Sequence, residues 1–434
     1  MATFTQAIRY TVTATCITPL RNGGSDKNTE SILQYPDGQA YLQGTSLTGA
    51  MRDWATICVP PEQVYALFGS NAGAGSLIIS DGVFSENAEI QTRPHVRIDG
   101  ATGAAVYGGK FDIAHIAAGT ELTFELNWAP ITNKATDDAA DKEVECVEQI
   151  LAALHNGEIL LGAQKTNGFG RVKLRVKKRE YNFYDEQDRI AWLTDAEDGK
   201  DFLLPCLQHK KALTTFTVRG KLNSILVRGA TPIQEEKGSF IQNLRENDKP
   251  IIPGSSIKGV ICARAKAIAQ LLNIPPEITD DIFGRASLDD DNGKAGHIYF
   301  EDAYLSDQKQ RVTRIRIDRF TGGVMRGGIF REEPLSSEVT LKITALEEYP
   351  VGCGLILYAL RDLGLGLYSL GSGASIGRGY FQDCTIEVCT SSGIMGKMRF
   401  LDAQNSDIQD SIIIEDTQEL FQTWSNSLQE ARKE

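Results

Sequence analysis

The stretch Pro250-Ile-Ile-Pro-Gly-Ser-Ser-Ile-Lys-Gly-Val260, continued by Ile-Cys-Ala-Arg-Ala-Lys-Ala-Ile-Ala-Gln-Leu271, decides how this chain is read. An apolar run is broken at Pro253-Gly254 and followed by hydroxyls. That order predicts strand, turn and helix, with Ser255 or Ser256 as the cap. Ile257, Val260, Ile261, Ala265, Ile268 and Ala269 recur at helical spacing and predict one buried stripe, with Lys258 and Arg264 off it. A glycine-serine turn opening a helix presents amide groups and a positive dipole end, which suits a phosphate. A second copy, Gly44-Thr-Ser-Leu-Thr-Gly-Ala-Met-Arg-Asp-Trp-Ala55, matches Gly254–Ala265 in glycines, hydroxyls and apolar stripe.

At 434 residues, two domains are the natural expectation. With 41% hydrophobic and 24% charged residues, the composition is that of a soluble globular protein. No apolar run is long enough for a bilayer and no signal-peptide plan opens the sequence, so a cytoplasmic protein without a membrane partner is expected. The eight cysteines are scattered, with neither a C-x-x-C pair nor zinc spacing to histidine. A formal charge of −12 argues against gripping nucleic acid with the whole surface; basic residues would have to gather on one face.

Extending outward from Gly44, the first half reads as the strand Ile8–Ile17, a polar loop Thr18–Glu30, the Tyr41–Ala55 strand-turn-helix and Leu67-Phe-Gly69. The strand Ser76–Asp81 follows, then the glycine-rich segment Arg97–Phe111, the strand Glu121–Trp128, a helix over Glu143–His155 and the loop Leu160–Val172. The second half repeats this order with Phe216–Leu226, Arg228–Gly238, Gly254–Ala265, Ile282-Phe-Gly284, His297–Asp302, Arg316–Phe330, Glu338–Leu346 and Leu370–Tyr380. Matched pieces lie about 210 to 220 residues apart, the signature of a tandem duplication. Strand–helix–strand–strand–helix–strand is the ferredoxin-like order, so the expected class is α+β, two ferredoxin-like units in tandem. The expected boundaries are 1–176 for the first, 177–212 for a linker with one short helix and 213–390 for the second. Residues 391–434 form a tail in which Asp416–Arg432 suits an amphipathic helix through Leu420, Phe421, Trp424 and Leu428.

The glycine-dense loops Gly162–Arg171 and Gly371–Gly379 each precede a closing strand and carry Lys165 and Arg171, or Arg378. Either they tighten a hairpin or they turn amides toward an anion. None of the five histidines has a partner pattern for acid–base cleavage.

Taken as an ordered set, the Pro-Gly-Ser-Ser-Ile-Lys-Gly turn, Ile/Leu-Phe-Gly, the strand ending near Asp302, Arg-Ile-Asp-x-x-Thr-Gly and the final glycine-rich loop resemble the CRISPR-associated RAMP superfamily. The resemblance is to the backbone subunits of type III effector complexes and covers roughly residues 5–175 and 213–390. Thr48 departs from it, standing where Lys258 fits. The resemblance implies an RRM-like ferredoxin core with a protruding thumb hairpin. It also implies binding of a guide RNA (crRNA), pairing with a target RNA, and other Cas subunits of a type III complex as partners. The residues so assigned to RNA are Gly44, Thr45, Ser46, Arg52, Arg97, Lys165 and Arg171 in the first unit. Those in the second are Gly254, Ser255, Ser256, Lys258, Arg264, Arg316, Arg319 and Arg378. Tyr107, Phe320 and Met325 are wedge candidates on the thumbs. Several such subunits cleave target RNA through an aspartate in the loop after the first strand. That makes Asp26 the expected catalytic residue and ligand of a divalent metal ion of the Mg or Mn type. The matching second loop, Arg228–Gly238, holds no aspartate, only Glu235 and Glu236, so the second unit is expected to bind without cutting. A structural crRNA-binding subunit without catalysis and a stand-alone RAMP endoribonuclease processing precursor crRNA are the competing readings.

Overall fold

Alternation in Gln6–Cys16 places Tyr10, Val12, Ala14 and Cys16 on one buried face, and the segment forms the long strand β1. The computed structural model describes residues 5–23, 31–71, 73–99, 102–130, 137–195, 199–208, 210–229, 233–235, 238–285, 293–306, 311–400 and 412–432. The chain divides into two compact units. One comprises Met1–Arg93, Phe111–Lys165 and Phe169–Lys211; the other comprises Pro94–Lys110, Thr166–Gly168 and Ala212–Glu434.

In the first unit β1 is followed by β2 (Tyr41–Leu42), α1 (Gly44–Cys58), α2 (Pro61–Phe68), β3 (Leu77–Ile79) and β4 (Gly82–Phe84). A hairpin of β5 (Ile90–Ile98) and β6 (Ala105–Ile116), whose outer part Pro94–Lys110 is counted with the second unit, precedes β7 (Glu121–Trp128), α3 (Asp137–Asn156), β8 (Val172–Asn182), α4 (Glu186–Leu193) and β9 (Lys200–Phe202). The sheet order is β2-β4-β7-β1-β8-β9, with β3 also paired to β7. Val12 faces Phe124 on one side and Val176 on the other, both antiparallel. Leu47, Met51 and Trp54 of α1 and Val147, Ile150 and Leu154 of α3 share one core with Tyr10, Phe124 and Trp128.

The second unit opens with β10 (Leu213–Ile225), β11 (Ile233–Glu235), β12 (Gly238–Gln242), β13 (Arg245–Glu246) and β14 (Lys249–Ile252). Then come α5 (Gly254–Leu271), α6 (Pro276–Phe283), β15 (Ile298–Phe300) and β16 (Ala303–Tyr304). The hairpin strands β17 (Val312–Ile317) and β18 (Val324–Glu333) lead to β19 (Leu335–Leu346), α7 (Pro350–Gly364), β20 (Tyr380–Cys389), β21 (Met395–Phe400), β22 (Ile412–Glu415) and α8 (Leu420–Glu430). The main sheet runs β15-β19-β10-β20-β21-β22, and Val218 faces Leu341 and Ile386 as Val12 faces its neighbours. Each opening strand is thus flanked by the strand after the hairpin and by the closing strand. The protein is mixed α+β, with eight α-helices among the described residues.

The structure departs from the sequence reading in four places. Residues 177–212 do not stand apart as a linker: β8 continues to Asn182 and β9 pairs with it, Val176 facing Phe202. The tail after Thr390 contains two further strands of the second sheet, and α8 buries Phe421, Trp424 and Leu428 in that unit's core. The helices α2 and α6 were not anticipated, although each begins Pro-Pro-Glu and ends at a left-handed glycine, Gly69 or Gly284. Val260, expected in the buried stripe of α5, packs against the core only partly buried.

Backbone closure explains the final glycine loops. Gly170 and Gly379 both have positive φ, and a Cβ on Gly379 would fall 1.8 Å from the Leu370 carbonyl oxygen. Gly377 also has positive φ but open space around it. Gly377→Ala should therefore cost about 1 kcal/mol for its backbone conformation. Gly379→Ala should cost about 2 kcal/mol more from the clash. Urea unfolding of the two variants beside the wild type measures the difference.

Candidate nucleic-acid interface

The helix starts carry the first expected contacts. Leu42 pairs with Gly82 and Ile252 with Ala303, and these pairings bring the ends of the neighbouring strands to α1 and α5. The Gly44 N–H donates to Asp81 Oδ1 at 2.7 Å, and the Gly254 N–H donates to Asp302 Oδ1 at 2.7 Å. A Cβ on Gly44 would meet the Ile79 carbonyl at 2.7 Å, and one on Gly254 the Phe300 carbonyl at 2.2 Å, so only glycine fits. The expected serine caps do not form: Gln43 and Pro253 hold the N-cap positions without a side-chain bond. A carboxylate of the protein already faces each positive helix end. Thr45 and Ser46 stay exposed, Ser255 and Ser256 half-buried, and Thr48 donates to the Gly44 carbonyl.

Most other expected contacts on these elements are engaged. Arg52 donates to the Gly69 carbonyl, and Arg264 pairs at 2.7 Å with the buried Asp362 of α7, which also takes Arg361. Burial holds the ammonium groups of Lys258 and Lys165 below the ordinary lysine value; nearby Asp53 offsets this in part for Lys165. Arg171 accepts the Ile17 N–H on its carbonyl and donates its own N–H to Thr18 Oγ1, which ties the closing loop to the end of β1.

Arg378 is the clearest reversal. Its guanidinium is buried and lies 2.9 Å from Glu332 Oε2. Arg314 grips the same carboxylate with two donors at 2.8 and 2.9 Å, and Arg228 approaches at 3.5 Å. Burial alone would raise the Glu332 pKa, but the bonds from Arg314 and Arg378 outweigh it and hold the group below the usual carboxylate range. In the first unit Phe169 occupies the corresponding place, under the Arg93 guanidinium at 4.9 Å and beside the His115 ring at 5.4 Å.

The hairpins are the parts that remain available. Both tips share an aspartate–threonine clasp: Asp99 Oδ1 accepts the N–H and hydroxyl of Thr102, and Asp318 Oδ1 those of Thr321 and also the Phe320 N–H. The amides of Thr321 and Phe320 hold the exposed Asp318 carboxyl below its ordinary range. Gly108-Gly109 and Gly327-Gly328 follow, each pair opening with positive φ, and the β17–β18 register shifts between Ile315 and Ile317. Tyr107 and Phe320 are fully exposed, and Met325 partly so. Arg97, Arg316, Arg319 and Arg326 are exposed and have no ion-pair partner among the described residues. The segment Arg311–Glu333 carries six arginines against three carboxylates. Arg326 was not singled out in the sequence, although it lies between Met325 and Gly327 of the same arm.

Asp26 and Glu236 lie outside the described residues, as does the Glu235 side chain. Among the described residues no three metal-ligating side chains stand together. At the foot of the loop, buried Asn22 donates to the Leu33 and Tyr41 carbonyls, and its own amide oxygen has no hydrogen bond. No described helix is long and apolar enough to cross a membrane.

A doubled α+β scaffold with a basic, aromatic-tipped arm on each half is the class this geometry defines. The chain belongs to the RAMP superfamily: that family's model matches residues 13–173 and 227–382, one stretch in each half. Membership points to a CRISPR-related RNA-binding role. A comparison with curated proteins finds no match.

The clasp at the helix start is testable. Asp81→Ala removes the acceptor for the Gly44 N–H and for the Tyr35 hydroxyl, and should lower stability by about 1 kcal/mol. Chemical denaturation measures the loss, and Asp81→Asn should recover part of it.

Proposed function

We propose that the chain is a two-unit backbone subunit of a type III CRISPR effector complex, working in the cytoplasm beside other Cas subunits. Each unit is a ferredoxin-like RAMP fold that holds crRNA, and the first cleaves target RNA. The observation that carries this is the repeated arm: two hairpins with the same aspartate–threonine clasp, an exposed aromatic ring and unpaired arginine, Arg97 on the first and Arg316, Arg319 and Arg326 on the second. Such an arm meets phosphates through its arginines and a base face through its ring, without reading sequence. The sheet orders, with the opening strand between the closing strand and the strand after the hairpin, support the ferredoxin-like assignment. Exposed arginines gathered on the second arm also ease the conflict between RNA binding and a charge of −12.

Asp26 would hold a divalent ion in the first unit. Such an ion orients the attacking 2′-hydroxyl and stabilises the leaving oxygen. The second loop has no aspartate, so that unit binds without cutting.

Two experiments test this. Replacing Arg316, Arg319 and Arg326 by alanine together should weaken single-stranded RNA binding and flatten the plot of log affinity against log salt by about 2. An unchanged slope removes the arm from the interface. Asp26→Ala in the assembled complex should abolish Mg- or Mn-dependent target cleavage opposite the first unit while crRNA binding persists. Unchanged cleavage leaves a structural subunit, and chelator-resistant cutting of repeat RNA by the lone chain indicates a processing enzyme.

A further inference from the structure

The Glu332 carboxylate has no part in the roles assigned so far, yet three arginines engage it. Its side chain is fully buried, and three arginines from three separate stretches end on it: Arg314 from β17, Arg378 from the glycine-rich loop and Arg228 from the stretch after β10. Filling the same volume with apolar side chains would avoid removing ions from water, so stability alone is a weak reason for such a cluster. What guanidinium forks on a carboxylate do supply is direction, because they fix angle as well as distance.

The bonds converge on the base of the second arm. β18 holds Glu332, pairs antiparallel with β17, and pairs in parallel with β12 at Ile241 and Glu332. Next to it, buried Asn243 donates to the carbonyls of Glu333 and Ile225 and accepts the Val227 N–H. The arm is thereby joined to the end of β10 and, through Arg378, to the loop before β20. The first unit has no carboxylate at the matching position. Counting from the paired glycines, Ile113 stands where Glu332 does, and Phe169 stands where Arg378 does, each just before the closing Gly170 or Gly379. There the Arg93 guanidinium lies over the Phe169 ring, with the His115 ring beside it.

We propose that Glu332 is a positioning residue for RNA: it fixes the second arm rigidly against the glycine-rich loop, so that Arg316, Arg319, Arg326 and Phe320 meet the strand as one piece. This rests on the RNA-binding reading above. The first arm does not contain Glu332 and is indifferent to the same change.

The test uses the full chain, Glu332→Gln, and a single-stranded RNA oligonucleotide. Amide hydrogen exchange in β17 and β18 should rise at least tenfold, while exchange in β5, β6 and the central strands β10 and β19 stays as in the wild type. RNA affinity should fall about fivefold with an unchanged salt slope, since the phosphate-facing arginines are all still present. A loss of phosphate contacts would instead flatten that slope. Arg378→Lys keeps the charge but loses the fork; it should shift both readouts the same way and serves in place of Glu332→Gln if that variant does not fold. Unchanged exchange in the arm, or exchange rising equally through the second sheet, overturns the proposal, as does unchanged RNA affinity. Should the wild type bind no RNA at any salt, the RNA reading fails on its own, and with it the role of Glu332 toward RNA, whatever the exchange shows.

Discussion

One amide-to-carboxylate bond, made once in each unit, governs how helix and sheet meet. The N–H of the glycine that opens α1 or α5 donates to the aspartate ending the adjacent strand, Asp81 or Asp302. The approach is so close that a methyl group on that glycine would overlap a strand carbonyl. Once the helix start is fixed there, its apolar stripe has only the sheet to face. Two motifs that look independent in sequence, Pro-Gly-Ser-Ser and the strand end near Asp302, are the two halves of this contact. The same bond relocates the binding problem. Because an internal carboxylate already faces the helix dipole, the amides there are a poorer phosphate seat than their sequence suggests.

Unpaired charge lies elsewhere, and the hairpins carry some of it in Arg97, Arg316, Arg319 and Arg326. The acidic balance of the chain is carried on helices such as α3, with Glu143, Glu145 and Glu148, and α6, with Glu277, Asp280 and Asp281. Against that, the second hairpin concentrates arginines on a narrow two-stranded projection. Net charge describes the whole chain, whereas a polyanion meets a local surface.

How much of this was legible in the sequence depended on whether the cause was local. The alternation of β1, the stripe of α5 and the limits of β7 follow from periodicity, and the structure has them within a residue or two. The paired order of segments gave the duplication. What could not be read were partners distant along the chain. Arg264 and Arg378 look like free cations in sequence, but Asp362 lies 98 residues from Arg264, and no spacing rule connects Arg378 to Glu332. The helices α2 and α6 were legible in principle, since proline at the first turn and glycine past the last are local signals. They were missed because each is only eight residues long and shows too few turns of periodicity.

The shared tip clasps have a consequence for engineering. Each clasp closes within five residues, by an aspartate that accepts from the threonine three residues on. The anchors at the arm bases differ in chemistry, an arginine over a phenylalanine ring in one and a carboxylate held by three arginines in the other. The tips are therefore interchangeable cassettes, and the anchors are the address labels that tie each cassette to its own sheet. An exchange of arms between the halves would have to carry its anchor along, or leave a charged socket without its plug.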